Sequence, residues 1–163
     1  MPYIQPLSRD QLSRFEPIFQ AVEARMGFVP SSFLTMAHWP ELLQHYMALA
    51  GTVLNAGAVD PGVKQIIAYV TSNAAGCRYC QAHTSHSAVM RGVGTEKMAR
   101  AFEFDQNDLF SDPERAALRV ALHEGTVPNG VEEVHMEDLQ NNFCDQDIVE
   151  ISPKKPLTVL AGR

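Results

Sequence analysis

Apolar residues in this chain recur at intervals of three and four, and nowhere alternate singly between two turn signals. That period admits helices and leaves no strand to pair, so it constrains the fold more than any other feature. Leu12, Phe15, Phe19, Val22 and Met26 form a first stripe. Ser8 with Gln11 reads as its capping box, and Gly27 and Pro30 close it. A short helix is expected over 31–38, and Pro40 opens another through Leu42, Leu43, Tyr46, Leu49 and Val53 toward Gly57. Asp60-Pro61 is a cap followed by a first-turn proline, leading into Val63, Ile66, Ile67 and Val70 and on to Asn73-Ala74-Ala75-Gly76. The next helix begins with Cys77 and runs to about Met90, before Gly92 and Gly94. Further helices are expected over 95–102, from Ser111-Asp112-Pro113-Glu114 through Ala117, Leu118, Val120, Ala121 and Leu122, over 131–143, and over 145–151. The chain therefore reads as all-α, with about seven to nine helices joined by short loops.

A chain of 163 residues is one domain long, here placed at 1–151. Residues 152–163 read as an irregular tail, because Pro153 and Pro156 forbid a regular helix. Lys and Arg number 13 against 19 Asp and Glu, so no basic stripe exists to neutralise phosphates and no nucleic-acid partner is expected. No uncharged apolar run approaches the ~18 residues of a membrane span. Met1-Pro2-Tyr3-Ile4-Gln5 has neither a basic leader nor an apolar stretch, so a cytoplasmic location is expected.

Three cysteines make a poor disulfide framework, and two of them form Cys77-Arg78-Tyr79-Cys80. Positions i and i+3 share a helix face, so these two can reach bonding distance. Cys77 lies near a helix N-terminus, where unpaired N–H groups favour a thiolate. Such a dithiol can attack an electrophile and be resolved by its neighbour. Zinc is a rival, since His83 and His86 follow, but Cys77 and His86 are about 13.5 Å apart along one helix. Only a site completed by another segment would serve, and no metal or cofactor is expected. Covalent haem needs His directly after the second cysteine, and Gln81 stands there. Thioredoxin-like chemistry needs a preceding strand. Two buried cysteines acting as small hydrophobes remain the bland alternative.

The helix pair opened by Asp60-Pro61 and joined through Asn73-Ala-Ala-Gly-Cys-Arg-Tyr-Cys-Gln-Ala-His83 resembles the AhpD-like, or carboxymuconolactone decarboxylase, family, in its peroxidase-related branch. The resemblance is most specific over 62–93 and extends loosely from Phe28-Val29-Pro30 to Ile151. It implies an AhpD-like helical bundle assembled from two or more subunits, and a dithiol that reduces peroxide substrates at the expense of an external thiol or protein reductant. By the same resemblance Cys80 becomes the sulfenic acid, and Cys77 donates a proton and closes the disulfide. The supporting positions depart from the family's pattern. A glutamate twelve residues before the first cysteine is here Gln65, a histidine before the second is Tyr79, and a histidine four after it is Thr84. Glutamine cannot take up a proton as a carboxylate does. His83, three after Cys80, and His86 are the available substitutes. His83 can act as a base or as a cationic neighbour of the thiol, or be a buried, hydrogen-bonded histidine. A non-catalytic redox sensor and a non-redox enzyme like the family's lactone decarboxylases are the alternatives.

Elsewhere, Cys144 reads as an ordinary, partly buried cysteine and 105–112 as a solvated acidic loop. His38-Trp39-Pro40 and His45-Tyr46 read as core or interface packing residues.

Overall fold

Prolines and side-chain caps decide where several of the helices start, Pro61–Ala74 and Asp112–Glu124 most clearly. A computed structural model of the chain describes residues 3–55 and 57–152. Among the described residues all regular structure is helical and no strand occurs. No helix among them is long and apolar enough to cross a membrane. The expected tail lies outside the described residues, apart from Ser152. The chain divides into two compact units, Met1–Thr52 and Val53–Arg163. The division falls inside one helix, Pro40–Asn55, where the sequence reading placed no break.

In the first unit, Gln11 Oε1 accepts the Ser8 backbone N–H at 3.1 Å and its hydroxyl at 3.0 Å. The segment that follows is a 3₁₀ helix, Arg9–Phe15, and α1 begins only at Glu16 and ends at Met26. The single helix expected here is interrupted, with Leu12 at φ −121°. Pro17 supplies the reason: it has no N–H to donate four residues back, so a helix can restart there but cannot run through. Leu12, Phe15 and Phe19 nevertheless stay buried together with Ala37 and Leu43. Gly27 ends α1 at φ +79°, and α2 spans Ser31–Met36. His38 Nε2 lies 2.9 Å from the Gln5 carbonyl, and Tyr46 packs edge-on against Phe33 at 5.8 Å. Trp39 is exposed and is not part of the core.

The second unit begins near the end of α3, the Pro40–Asn55 helix. It then contains α4 (Pro61–Ala74), α5 (Arg78–Met90), α6 (Thr95–Ala99), α7 (Asp112–Glu124), α8 (Glu133–Asn142) and α9 (Asp145–Ile151). Asp60 Oδ1 accepts from Gly62 N at 2.8 Å and Val63 N at 3.0 Å, closing the start of α4. At α7, Glu114 Oε2 accepts the Ser111 N–H at 2.9 Å. Ile66, Ile67 and Val70 of α4 share one core with Ala117, Leu118, Val120 and Ala121 of α7. Helix α6 is shorter than expected. Phe104, just before the acidic loop, and Phe110 within it are core anchors. The loop's Asp105 is paired with Arg119 at 2.7 Å, so this loop is tied down rather than merely solvated.

Two features hold this unit together that no pattern in the sequence announces. A Cβ placed on Gly125 would lie 2.6 Å from the Thr71 carbonyl oxygen and 2.7 Å from Ala74 Cβ. The end of α7 therefore approaches the end of α4 as closely as only glycine permits. The other feature is an ion pair. Lys64, 4% exposed, places Nζ 3.0 Å from Glu150 Oε2. The same carboxylate accepts from Ala58 N and Val59 N, each at 3.1 Å. Helix α9 is thus pinned to α4 and to the loop that leads into it. The Lys64 ammonium and the two backbone N–H groups hold the Glu150 carboxyl at a pKa of about 2.

Gly125→Ala is expected to destabilise the protein by about 1–3 kcal/mol in chemical denaturation, through overpacking against backbone that cannot yield. Lys64→Met, leaving the Glu150 carboxylate unpaired, is expected to cost about 3 kcal/mol. The folded pKa of Glu150 lies below its ordinary 4.5, so its contribution is complete above that value and is lost as pH falls toward 2. Acid-unfolding curves of Glu150→Gln should lack this component.

Candidate active site

The candidate site is built where α4 stops and α5 starts. Gly76 adopts φ +69°, a left-handed conformation that lets the chain turn out of α4. The Cys77 N–H then donates to the Ser72 carbonyl at 2.9 Å, and Gly76 N to Asn73 O at 2.9 Å. This is the Schellman closure that Ala-Ala-Gly-Cys encodes. Cys77 is also the N-cap of α5, at φ −84° and ψ 91°, and its Sγ accepts the Cys80 N–H at 3.3 Å. A cysteine sulfur here does the work usually given to a serine or aspartate oxygen. The sequence placed Cys77 inside the helix; it sits one position outside, as the cap.

Cys77 and Cys80 are joined by a disulfide, with Cα atoms 5.3 Å apart. Both residues are partly exposed, which excludes the reading as two small core hydrophobes. His83 follows one turn after Cys80 on α5, and its ring centroid lies 4.5 Å from that of Tyr79. Burial, and then the charge of His86, lower the His83 pKa below the ordinary histidine value. The neutral imidazole, a proton acceptor, therefore predominates at neutral pH.

The remaining positions do different things. The Thr84 hydroxyl donates to the Cys80 carbonyl at 2.8 Å and lies 3.3 Å from that of Gln81, so it serves the helix backbone. His86 is exposed one turn further along. Tyr79 presents an exposed ring beside the disulfide. Gln65 belongs to α4 and is 3% exposed, a buried amide. Cys144, expected to be partly buried, is exposed. It starts α9 with Sγ 3.1 Å from Asp147 Oδ2, a capping role that keeps it at the surface. Among the described residues no group of three or more His, Cys, Asp or Glu side chains is arranged to hold a metal ion.

The family model of the carboxymuconolactone decarboxylase family matches residues 40–123, just over half of the chain. The solved structure of the debrominase Bmp8 is 32% identical, with a TM-score of 0.87, covering 93% of this chain and 82% of that one. A second Bmp8 structure, of a cysteine-to-alanine form in complex with 2,3,4-tribromopyrrole, matches equally well. An uncharacterized peroxidase-related protein from Ralstonia eutropha JMP134, described as an alkylhydroperoxidase AhpD core, is 26% identical over 90% of this chain and 76% of its own, with a TM-score of 0.69. Among curated proteins, the uncharacterized YnjA of Escherichia coli K12 is 27% identical over 105 residues, 64% of this chain. The aligned region spans 58% of that relative's length. The all-helical AhpD-like fold expected from the sequence is thus the fold observed.

An NMR titration of the His83 ring is expected to give a midpoint below 6.5. His86→Ala should raise that midpoint only part of the way, because burial is the larger cause.

Proposed function

The chain belongs to the carboxymuconolactone decarboxylase family, and from that membership we propose that it is an enzyme whose Cys77–Cys80 pair reduces hydroperoxides. The observation that carries the reading is the pair itself: two cysteines at bonding distance, partly exposed, with one sulfur capping a helix. In this reading the Cys80 thiolate attacks the terminal peroxide oxygen, the O–O bond breaks, and an alkoxide leaves and is protonated to the alcohol. The Cys77 thiolate then attacks the sulfenic acid, closing the disulfide and releasing water. Neutral His83 accepts the proton of the attacking thiol, in the place where Gln65 cannot. An external thiol reductant returns the pair to the dithiol.

A second reading has specific support in the likeness to Bmp8, a debrominase, which extends over 93% of this chain. The same sulfurs can take bromine from an aromatic carbon. The Cys80 thiolate forms an S–Br bond, the C–Br pair remains on carbon and is protonated, and Cys77 expels bromide as the disulfide closes. This reaction also moves two electrons from the dithiol and needs no carboxylate relay. Self-association is part of both readings, supported by the exposed Trp39, Leu42 and Leu49.

Reduced protein mixed with one equivalent of an alkyl hydroperoxide is expected to close one disulfide and lose two titratable thiols. Cys80→Ser should abolish turnover, and His83→Ala should slow it by about 10²-fold or more. If both thiols survive excess peroxide but are consumed by a bromopyrrole with release of bromide, the second reading replaces the first. If neither substrate closes the pair, both fall. Light scattering is expected to give a mass above that of one chain.

A further inference from the structure

We propose that the Cys77–Cys80 disulfide opens in one direction: a reductant thiol attacks Sγ of Cys80, and Sγ of Cys77 leaves as the thiolate. The two sulfurs are covalently equivalent, but their settings in the structure are not. Cys77 Sγ stands at the N-cap of a 13-residue helix and accepts the Cys80 N–H at 3.3 Å. No acidic residue lies in the first turn, and the first helical residue is Arg78. Negative charge arriving at this sulfur meets a donor already in place and the positive end of the α5 dipole.

Cys80 lies inside the helix. Its N–H is given to Cys77 and its carbonyl takes the Thr84 hydroxyl at 2.8 Å. Charge is better held at Cys77, the sulfur that takes this N–H. In thiol–disulfide exchange the sulfur of lower pKa is the better leaving group, so the outcome follows from which sulfur can carry charge. The attacking thiolate forms a bond to Cys80 Sγ, the Sγ–Sγ bond breaks, and its electron pair goes to Cys77 Sγ. The products are a mixed disulfide on Cys80 and a free thiolate on Cys77. A second reductant thiol then displaces Cys80, and the reductant leaves as its own disulfide. His83, neutral and one turn beyond Cys80, is placed to take the proton of the incoming thiol.

In this opening step Cys80 thus carries the reductant, while Cys77 carries the charge. This assignment goes beyond the substrate reading, since the closed disulfide is its starting point whatever closes it.

The test uses the wild-type protein with the disulfide closed by diamide. A brief pulse of glutathione is quenched with acid, the freed thiol is alkylated, and the segment containing both cysteines is sequenced by mass spectrometry. Glutathione is expected on Cys80 and the alkyl label on Cys77, in about tenfold excess over the reverse. Equal labelling, or glutathione mainly on Cys77, overturns the proposal. Alkylation rates against pH provide a second measurement. Cys77 in Cys80→Ser should ionise below the ordinary ~8.5 and below Cys80 in Cys77→Ser. The opposite order also overturns it. A protein whose thiols ignore peroxide loses the peroxidase reading but still undergoes this test, so the two failures are distinguishable.

Discussion

The turn from α4 into α5 depends on one residue used twice. The backbone N–H of Cys77 closes the end of α4 on the Ser72 carbonyl, while its sulfur caps the start of α5 through the Cys80 N–H. Only a chain that turns left-handed at Gly76 can bring both ends to the same point. The cysteine pair is therefore not attached to a finished scaffold. The Cys77 sulfur also satisfies a donor the helix would otherwise leave unpaired. Removing it would disturb the site and the local fold together.

The residues around the pair sit in different environments. Burial, and then its neighbour His86, lower the pKa of His83. Thr84 is engaged with the helix backbone. Gln65 is buried in α4, and its amide takes up no proton where a carboxylate could.

Much of the helical plan was legible because helix starts are local chemistry. Asp60-Pro61 and Ser111-Asp112-Pro113-Glu114 fix their own backbone donors within three residues, and the structure starts α4 and α7 there. The stripe from Leu12 to Phe19 gave the buried face but not the break within it. An apolar period survives a change of helix type, whereas the restart at Pro17 is a matter of one missing donor. The Phe104 and Phe110 anchors were hidden for a similar reason: acidic residues dominate the composition around them, while the two rings are buried in the core.

The sequence by itself determined most of the helices, the caps at Asp60 and Ser111, the cysteine spacing and the family, because each is written in residues a few positions apart. Only the tertiary structure decided which distant groups meet. It placed Glu150 on Lys64 and on the Ala58 and Val59 N–H groups, and it brought Gly125 against Thr71. It also set Cys77 just outside its helix, moved Cys144 to the surface and lowered the basicity of His83. Contacts across many residues, and the burial that shifts a proton equilibrium, depend on how the helices pack. No local pattern carries that information.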